Sequence, residues 1–304
     1  MFKRQFKMTG KEGEITVYAE NYMNIMEIAA VAKTRQYNPR VPEHDDYLVD
    51  SKYASDPLWN DFRTQDDLLE KMTVGIKDRK MVDGIQRYAH KAVVEEKDKY
   101  TQRVMSVAGG GVNVPLLLSG SPVCMYSRKK APVKTKIINM GLHCHVTCDI
   151  SKEEYLHAGM VVAELVSKLE KAGYRLRMHA VDPFYTRGTK AINLITAVIK
   201  KENEPMNYAR ILFPTTSVAF LRGVAFGWCA RNPDYKGDSC LGTYCEYAFN
   251  SDEVAEKFDE MFEKATGLKG FTAFRMRDII DMCRNKGDDM TLKYLESKLI
   301  GSIS

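Results

Sequence analysis

Between Thr135 and Pro183 the chain runs Lys136-Ile-Ile-Asn-Met140, then His143-Cys144-His145-Val-Thr-Cys148-Asp149-Ile-Ser151, then a long amphipathic segment and a second apolar run from Tyr174 to Ala180. The first and last pieces read as strands. From Glu153 to Ala172 the residues Leu156, Met160, Val161, Ala163, Leu165, Val166 and Leu169 form one broad stripe at helical spacing, with Gly173 as a C-terminal stop. Ser151 and Glu154 have the spacing of a capping box at its start. A helical crossover makes the two strands parallel, whereas the next strand, Ala191 to Lys200, follows a connection too short for a helix and is expected to pair antiparallel. This order predicts an α/β sheet. The loop from His143 to Ser151 then lies beyond the carboxyl end of the first strand, where open α/β sheets bind ligands.

Working outward, residues 1–104 are expected to be a helical region. Apolar residues at helical spacing predict a helix over Asn24 to Arg35, stopped by Tyr37-Asn-Pro39. A second starts at Thr64 with Asp66 and Asp67 in its first turn, and a third spans Met81 to Val104. Residues 105–134 form a glycine-rich segment and a basic connector. The run Gly109-Gly-Gly111 lacks the Lys and Ser/Thr of a phosphate loop and reads as a tight turn; Arg128-Lys-Lys-Ala-Pro-Val-Lys134 reads as a solvated linker. Residues 135–304 hold the α/β domain, with further helices over Tyr208 to Ala230 (divided at Pro214-Thr-Thr-Ser217), Glu253 to Thr266, Arg275 to Arg284 and Thr291 to Ile300.

Composition bounds the function. A 304-residue chain with 44% hydrophobic content supports a real core, and a net charge of +5 over 45 basic and 40 acidic residues names no partner. The start, Met1-Phe-Lys-Arg-Gln-Phe-Lys-Met8, has positive charge without the apolar run of a signal peptide, and no stretch reaches the roughly 18 to 20 apolar residues of a membrane span. Seven cysteines in a chain of this size suggest free thiols in a reducing cytoplasm.

Leu169-Glu-Lys-Ala-Gly173-Tyr-Arg-Leu-Arg177, together with the strand order, resembles the opening half of a von Willebrand factor A domain, in the version attached to metal-chelatase subunits. With Ala108-Gly-Gly and Ser119-Gly-Ser-Pro-Val-Cys-Met125, it is also similar to a family of uncharacterised proteins encoded by phages and prophages. The likeness covers Val104 to Trp228 and implies a von Willebrand A-like (Rossmann-like) sheet with helices on both faces. It implies a cation site on an Asp-x-Ser-x-Ser motif completed by a distant Thr; the matching positions are Asn139, Gly141 and His143, with Thr215 or Thr216. Such a set has lost its charged oxygen donor and suits Mg²⁺ poorly. The resemblance thus implies a degenerate cation site on a face that binds another macromolecule, in a phage-type accessory protein working in the cytoplasm of a bacterial host.

Three other functions fit the residues. His143, His145 and Cys148, joined by Cys240 and Cys245, form a donor set for Zn²⁺; alternation along an extended chain puts His143 and His145 on one side and Cys144 on the other. Cys144 or Cys148 beside His143, His145 or His157 and Asp149 has the composition of a thiol enzyme. Against both, polar loop residues and a helix cap explain the same letters, and His179 and Cys283 read as structural. The last function is single-stranded nucleic-acid binding through Arg128, Lys129, Lys130, Lys134 and Lys136.

Overall fold

A two-residue turn, Lys11-Glu12, joins β1 (Phe2–Gly10) to β2 (Gly13–Tyr22), and Gly13 takes the positive φ of 111° that an L side chain resists. Ile15, Val17 and Ala19 alternate into the core. The region expected to be helical therefore starts as a β-hairpin. The computed structural model describes residues 1–41, 46, 48–49, 61–76, 82–83, 101–130, 136–146, 149–235 and 243–302.

Two of the N-terminal helices form where their caps place them. Asn24 caps α1 (Ile25–Lys33) by accepting from the Glu27 amide, and Thr64 caps α2 (Gln65–Val74) by accepting from that of Asp67. Most of the third expected helix lies outside the described residues, but its end, Thr101 to Val104, belongs to a strand, β3 (Thr101–Ser106). With β4 (Gly111–Val112) and β5 (Met125–Lys130) it makes a small antiparallel sheet in the order β3-β5-β4, and α3 (Val114–Leu118) connects β4 to β5. Of the glycine run, Gly109 and Gly110 lead the chain from β3 into β4, whose first residue is Gly111. A Cβ on Gly109 would stand 2.1 Å from the Tyr126 carbonyl oxygen, so only glycine lets the chain lie this close to β5. The basic connector is corrected at its start: Arg128, Lys129 and Lys130 are ladder residues of β5, paired with Arg103, Gln102 and Thr101.

The large sheet carries the rest. β6 (Ile137–His143) leads to α4 (Lys152–Lys171), whose capping box has both hydrogen bonds in place, 3.2 Å from the Glu154 amide to Ser151 Oγ and 3.0 Å back. β7 (Arg175–Thr186) and β8 (Ala191–Lys200) form the expected antiparallel pair, turned by Arg187–Thr189 and by Lys190 at φ 48°. α5 (Tyr208–Thr216) runs through Pro214 rather than stopping there; a π-helical stretch, Phe220–Ala225, and α6 (Phe226–Ala230) follow. β9 (Thr243–Tyr244) and a 3-10 turn, Cys245–Ala248, precede α7 (Val254–Thr266), which Gly267 ends in the left-handed conformation. β10 (Phe271–Arg275), α8 (Met276–Lys286) and α9 (Asp288–Gly301) close the chain.

Six strands lie in the order β1-β2-β8-β7-β6-β10, with β9 added to β7. β7, β6 and β10 are mutually parallel, as are β2 and β8. One face packs Ile138, Met140, Leu142 and Met178 against α1, α2, α4, α5, α6, α8 and α9; the other packs Val17, Val181, Ile192 and Leu194 against Phe258, Met261 and Phe262 of α7. Helices thus cover both faces, very unequally. Among the described residues no single helix is long and apolar enough to cross a membrane; the bent pair formed by α5 and Phe220–Ala230 has the composition but turns by 75° and is buried in the core.

A buried carboxylate ties the hairpin to the helices. Glu20 on β2 receives Arg35 through both oxygens at 2.8 and 2.9 Å, Tyr22 Oη at 2.5 Å and Trp228 Nε1 at 2.8 Å. Burial alone would raise its pKa, but the bonds from Arg35, Tyr22 and Lys3 prevail and hold it at about 2. A depressed carboxylate stabilises the fold above its unfolded value of 4.5 and loses that contribution as pH falls toward 2. Glu20→Ala, which leaves Arg35 half-buried without its anion, is expected to lower unfolding free energy by about 3 kcal/mol in urea titration at pH 7. The difference between wild type and Glu20→Gln should shrink as pH falls from 5 to 2.

Candidate metal centre

The register of β7 creates the site. Its parallel partner β6 ends at the pair His143 and Val181, while β9 resumes pairing on the same side only at Phe184. Asp182 and Pro183 occupy the gap. Pro183 has no amide hydrogen to leave unpaired there, and the Asp182 side chain, fully buried, is free to turn toward the end of β6.

Two imidazoles meet it. His143 Nε2 and His145 Nδ1 each stand 3.5 Å from Asp182 Oδ1, and the three donor atoms lie within 4.8 Å of one another. The distances are long for charge-assisted hydrogen bonds. Among the described residues neither Asp182 oxygen and neither His143 nitrogen completes a hydrogen bond, although more than nine in ten buried polar groups normally do. Burial pushes the Asp182 pKa up, and His143 and His145 more than reverse this, so the carboxylate is held ionised below its ordinary value. The His143 ring packs against Phe258 at 5.5 Å between centroids.

An outer layer surrounds these donors. Glu246 Oε1, delivered by the turn after β9, is 3.9 Å from His143 Nδ1 and 3.5 Å from Arg275 at the end of β10. Tyr155 of α4 donates to the carbonyls of Cys144 (3.2 Å) and Pro214 (2.8 Å), which fixes the backbone between the two histidines.

The arrangement corrects several expectations. Cys148, Cys240 and Lys134 lie outside the described residues. Cys245 is buried near Asp182 without joining the converging set; burial, Glu246 and Asp182 push its thiol pKa well up. Cys144 gives its thiol hydrogen to the Leu142 carbonyl at 3.2 Å, and burial with the Asp182 charge raises its pKa, the reverse of an activated nucleophile. Asp149 pairs with Arg277 at 3.1 Å. Of the positions implied by the cation motif, Asn139 donates to the Lys269 carbonyl at 2.9 Å, while Thr215 and Thr216 bond to carbonyls of their own helix at 3.0 and 2.8 Å. Gly141 has the Phe271 ring where a side chain would be. His143 alone of these five reaches a carboxylate. Lys136 is exposed beside β6, and His179 is buried with its pKa lowered to about 4 by burial and by Arg177.

Sequence reasoning missed Asp182 because the expected second strand stopped at Ala180. The signal was present in Val181-Asp-Pro183, an acid beside a strand proline.

The fold and the site together define a mixed α/β protein with a buried His-His-Asp cluster at the carboxyl ends of its parallel strands. The chain belongs to the family described as a domain of unknown function, DUF7192, which it matches over residues 8–272, a span that begins in β1 and ends in β10. No curated protein and no solved structure matches it.

Gly141 is required by packing: a Cβ would lie 2.4 Å from Phe271 Cε1, and Phe271 is itself wedged against His179 and Phe262. Gly141→Ala is expected to cost about 1 to 3 kcal/mol, measured as a lower denaturation midpoint with an unchanged slope.

Proposed function

We propose that this protein is a metal-binding protein in which His143, His145 and Asp182 hold one divalent first-row ion, with Zn²⁺ the best match. The observation that carries this is the convergence of two imidazoles, each at 3.5 Å, on a buried carboxylate whose oxygens complete no hydrogen bond of normal geometry among the described residues. Ligands about 2.0 Å from a tetrahedral ion stand about 3.3 Å apart, close to the 3.5 Å found for both histidines. Imidazole with a single carboxylate suits zinc better than Mg²⁺ or Ca²⁺. Glu246 at the far nitrogen of His143 supports the reading, since a ligating histidine usually directs its second nitrogen to a carboxylate.

The three side chains are at most 10% exposed. Such burial favours an ion that organises the crevice end of the sheet over one that receives a large substrate. Elemental analysis of the purified chain should find about one equivalent of zinc at this centre, and Asp182→Asn should remove it while the fold survives. Unchanged metal content in a folded Asp182→Asn protein would defeat the proposal.

A second reading, docking to another macromolecule, is favoured by the small sheet. Val107, Leu117 and Leu118 are 68%, 52% and 82% exposed, with Val112 and Val114 beside them in sequence, and apolar side chains grouped this way commonly mark contact surfaces. The strand order of the von Willebrand likeness supports the same role. Paired Leu117→Lys and Leu118→Lys changes should reduce recovery of a protein partner from lysate without altering metal content or thermal stability. Recovery of nucleic acid that disappears between low and high salt would favour the basic segment instead.

A further inference from the structure

We propose that His157, Cys283 and Asp288 form a second metal site, open to solvent and suited to a thiophilic divalent ion such as Zn²⁺, which fastens the C-terminal helices to α4. It is separate from the buried centre and does not rest on it.

The three residues come from three helices. His157 lies in the second turn of α4, Cys283 near the end of α8, and Asp288 opens α9. Gly287, at φ 76°, supplies the sharp reversal between α8 and α9 that brings Asp288 back beside Cys283. His157 Nε2 stands 2.9 Å from Asp288 Oδ1, and the imidazole nitrogen, the thiol sulfur and the carboxylate oxygen all lie within 4.8 Å of one another. One nitrogen, one sulfur and one oxygen donor with solvent at the fourth position is a set zinc accepts readily. The thiolate selects against Mg²⁺ and Ca²⁺.

The surroundings favour a cation. Glu164 is two turns along α4 from His157; its Oε2 is buried and completes no hydrogen bond among the described residues. Burial, followed by the charges of Asp288 and Asp289, raises the Glu164 pKa, so three carboxylates crowd one corner. The nearby cation Lys168 offsets this only in part and is paired with Glu296 at 2.6 Å. A His157–Asp288 ion pair explains the shortest distance, and hydrogen bonds to Thr291 and Asp288 hold the Cys283 thiol, but neither accounts for the stranded Glu164 oxygen.

Cobalt distinguishes this site from the buried one, because only a thiolate ligand gives a sulfur-to-cobalt charge-transfer band. The full chain, dialysed against chelator, is titrated with Co²⁺ and read in the near ultraviolet. The expected result is a band that Cys283→Ser abolishes and Asp182→Asn leaves intact. His157→Ala should weaken Co²⁺ binding by more than the roughly 10- to 100-fold that an outer-shell change costs. Absence of the band in the wild-type chain overturns the proposal. So does a band that persists in Cys283→Ser; if that band is lost in Asp182→Asn, the thiolate belongs to the buried centre. Cys283 is only half-buried and serine is nearly isosteric, so the variant should fold, which circular dichroism checks.

Discussion

The crevice end of the sheet depends on one strand having more length than its neighbours can cover. β7 pairs with β8 along one side, while on the other it is covered first by β6 and then by β9, leaving Asp182 and Pro183 between them. That gap leaves an acid paired to β8 alone, without exposing it to water. A carboxylate placed so must find positive charge or a proton, and the end of β6 supplies two imidazoles. The parallel pairing of β10 on β6 then brings Arg275 level with His143 and positions Glu246 from the opposite side.

The N-terminal hairpin extends the same sheet, since β2 lies parallel against β8. The Glu20 network keeps this arrangement specific, joining β2, the residues after α1 and α6 through a single carboxylate. A buried ion pair of this kind adds little over a well-packed apolar alternative but is damaging to break, because the surviving partner is left desolvated. It is better understood as fixing which elements meet than as a large source of stability.

Much of the fold was legible in residues whose pattern depends on their near neighbours. The α4 stripe, the Ser151–Glu154 box, the helix starting near Asn24, the Thr64 cap and the β7–β8 hairpin all follow from local spacing. The failures are short strands and strands whose alternation is masked by charge. β10 is five residues, Phe271 to Arg275, and its period is too short to read. β1 and β2 showed alternation in Phe2, Phe6 and Met8 and in Ile15, Val17 and Ala19, but the lysines between them read as charge rather than as a sheet edge. At the site, His143 and His145 were legible as a pair because extended chain repeats every two residues. Asp182 became their partner only through a register that no local pattern encodes.

The outermost position of β1 also limits what the sheet can become. An uncovered strand offers unpaired amides and carbonyls to any chain that approaches, including its own kind. β1 meets that approach with Lys3, Arg4 and Lys7, bound laterally by Asp234, the Lys264 carbonyl and Glu14. These bonds hold long charged side chains along the edge, where charge is among the devices that blunt strand addition. The hairpin that completes the fold is in this sense also its boundary.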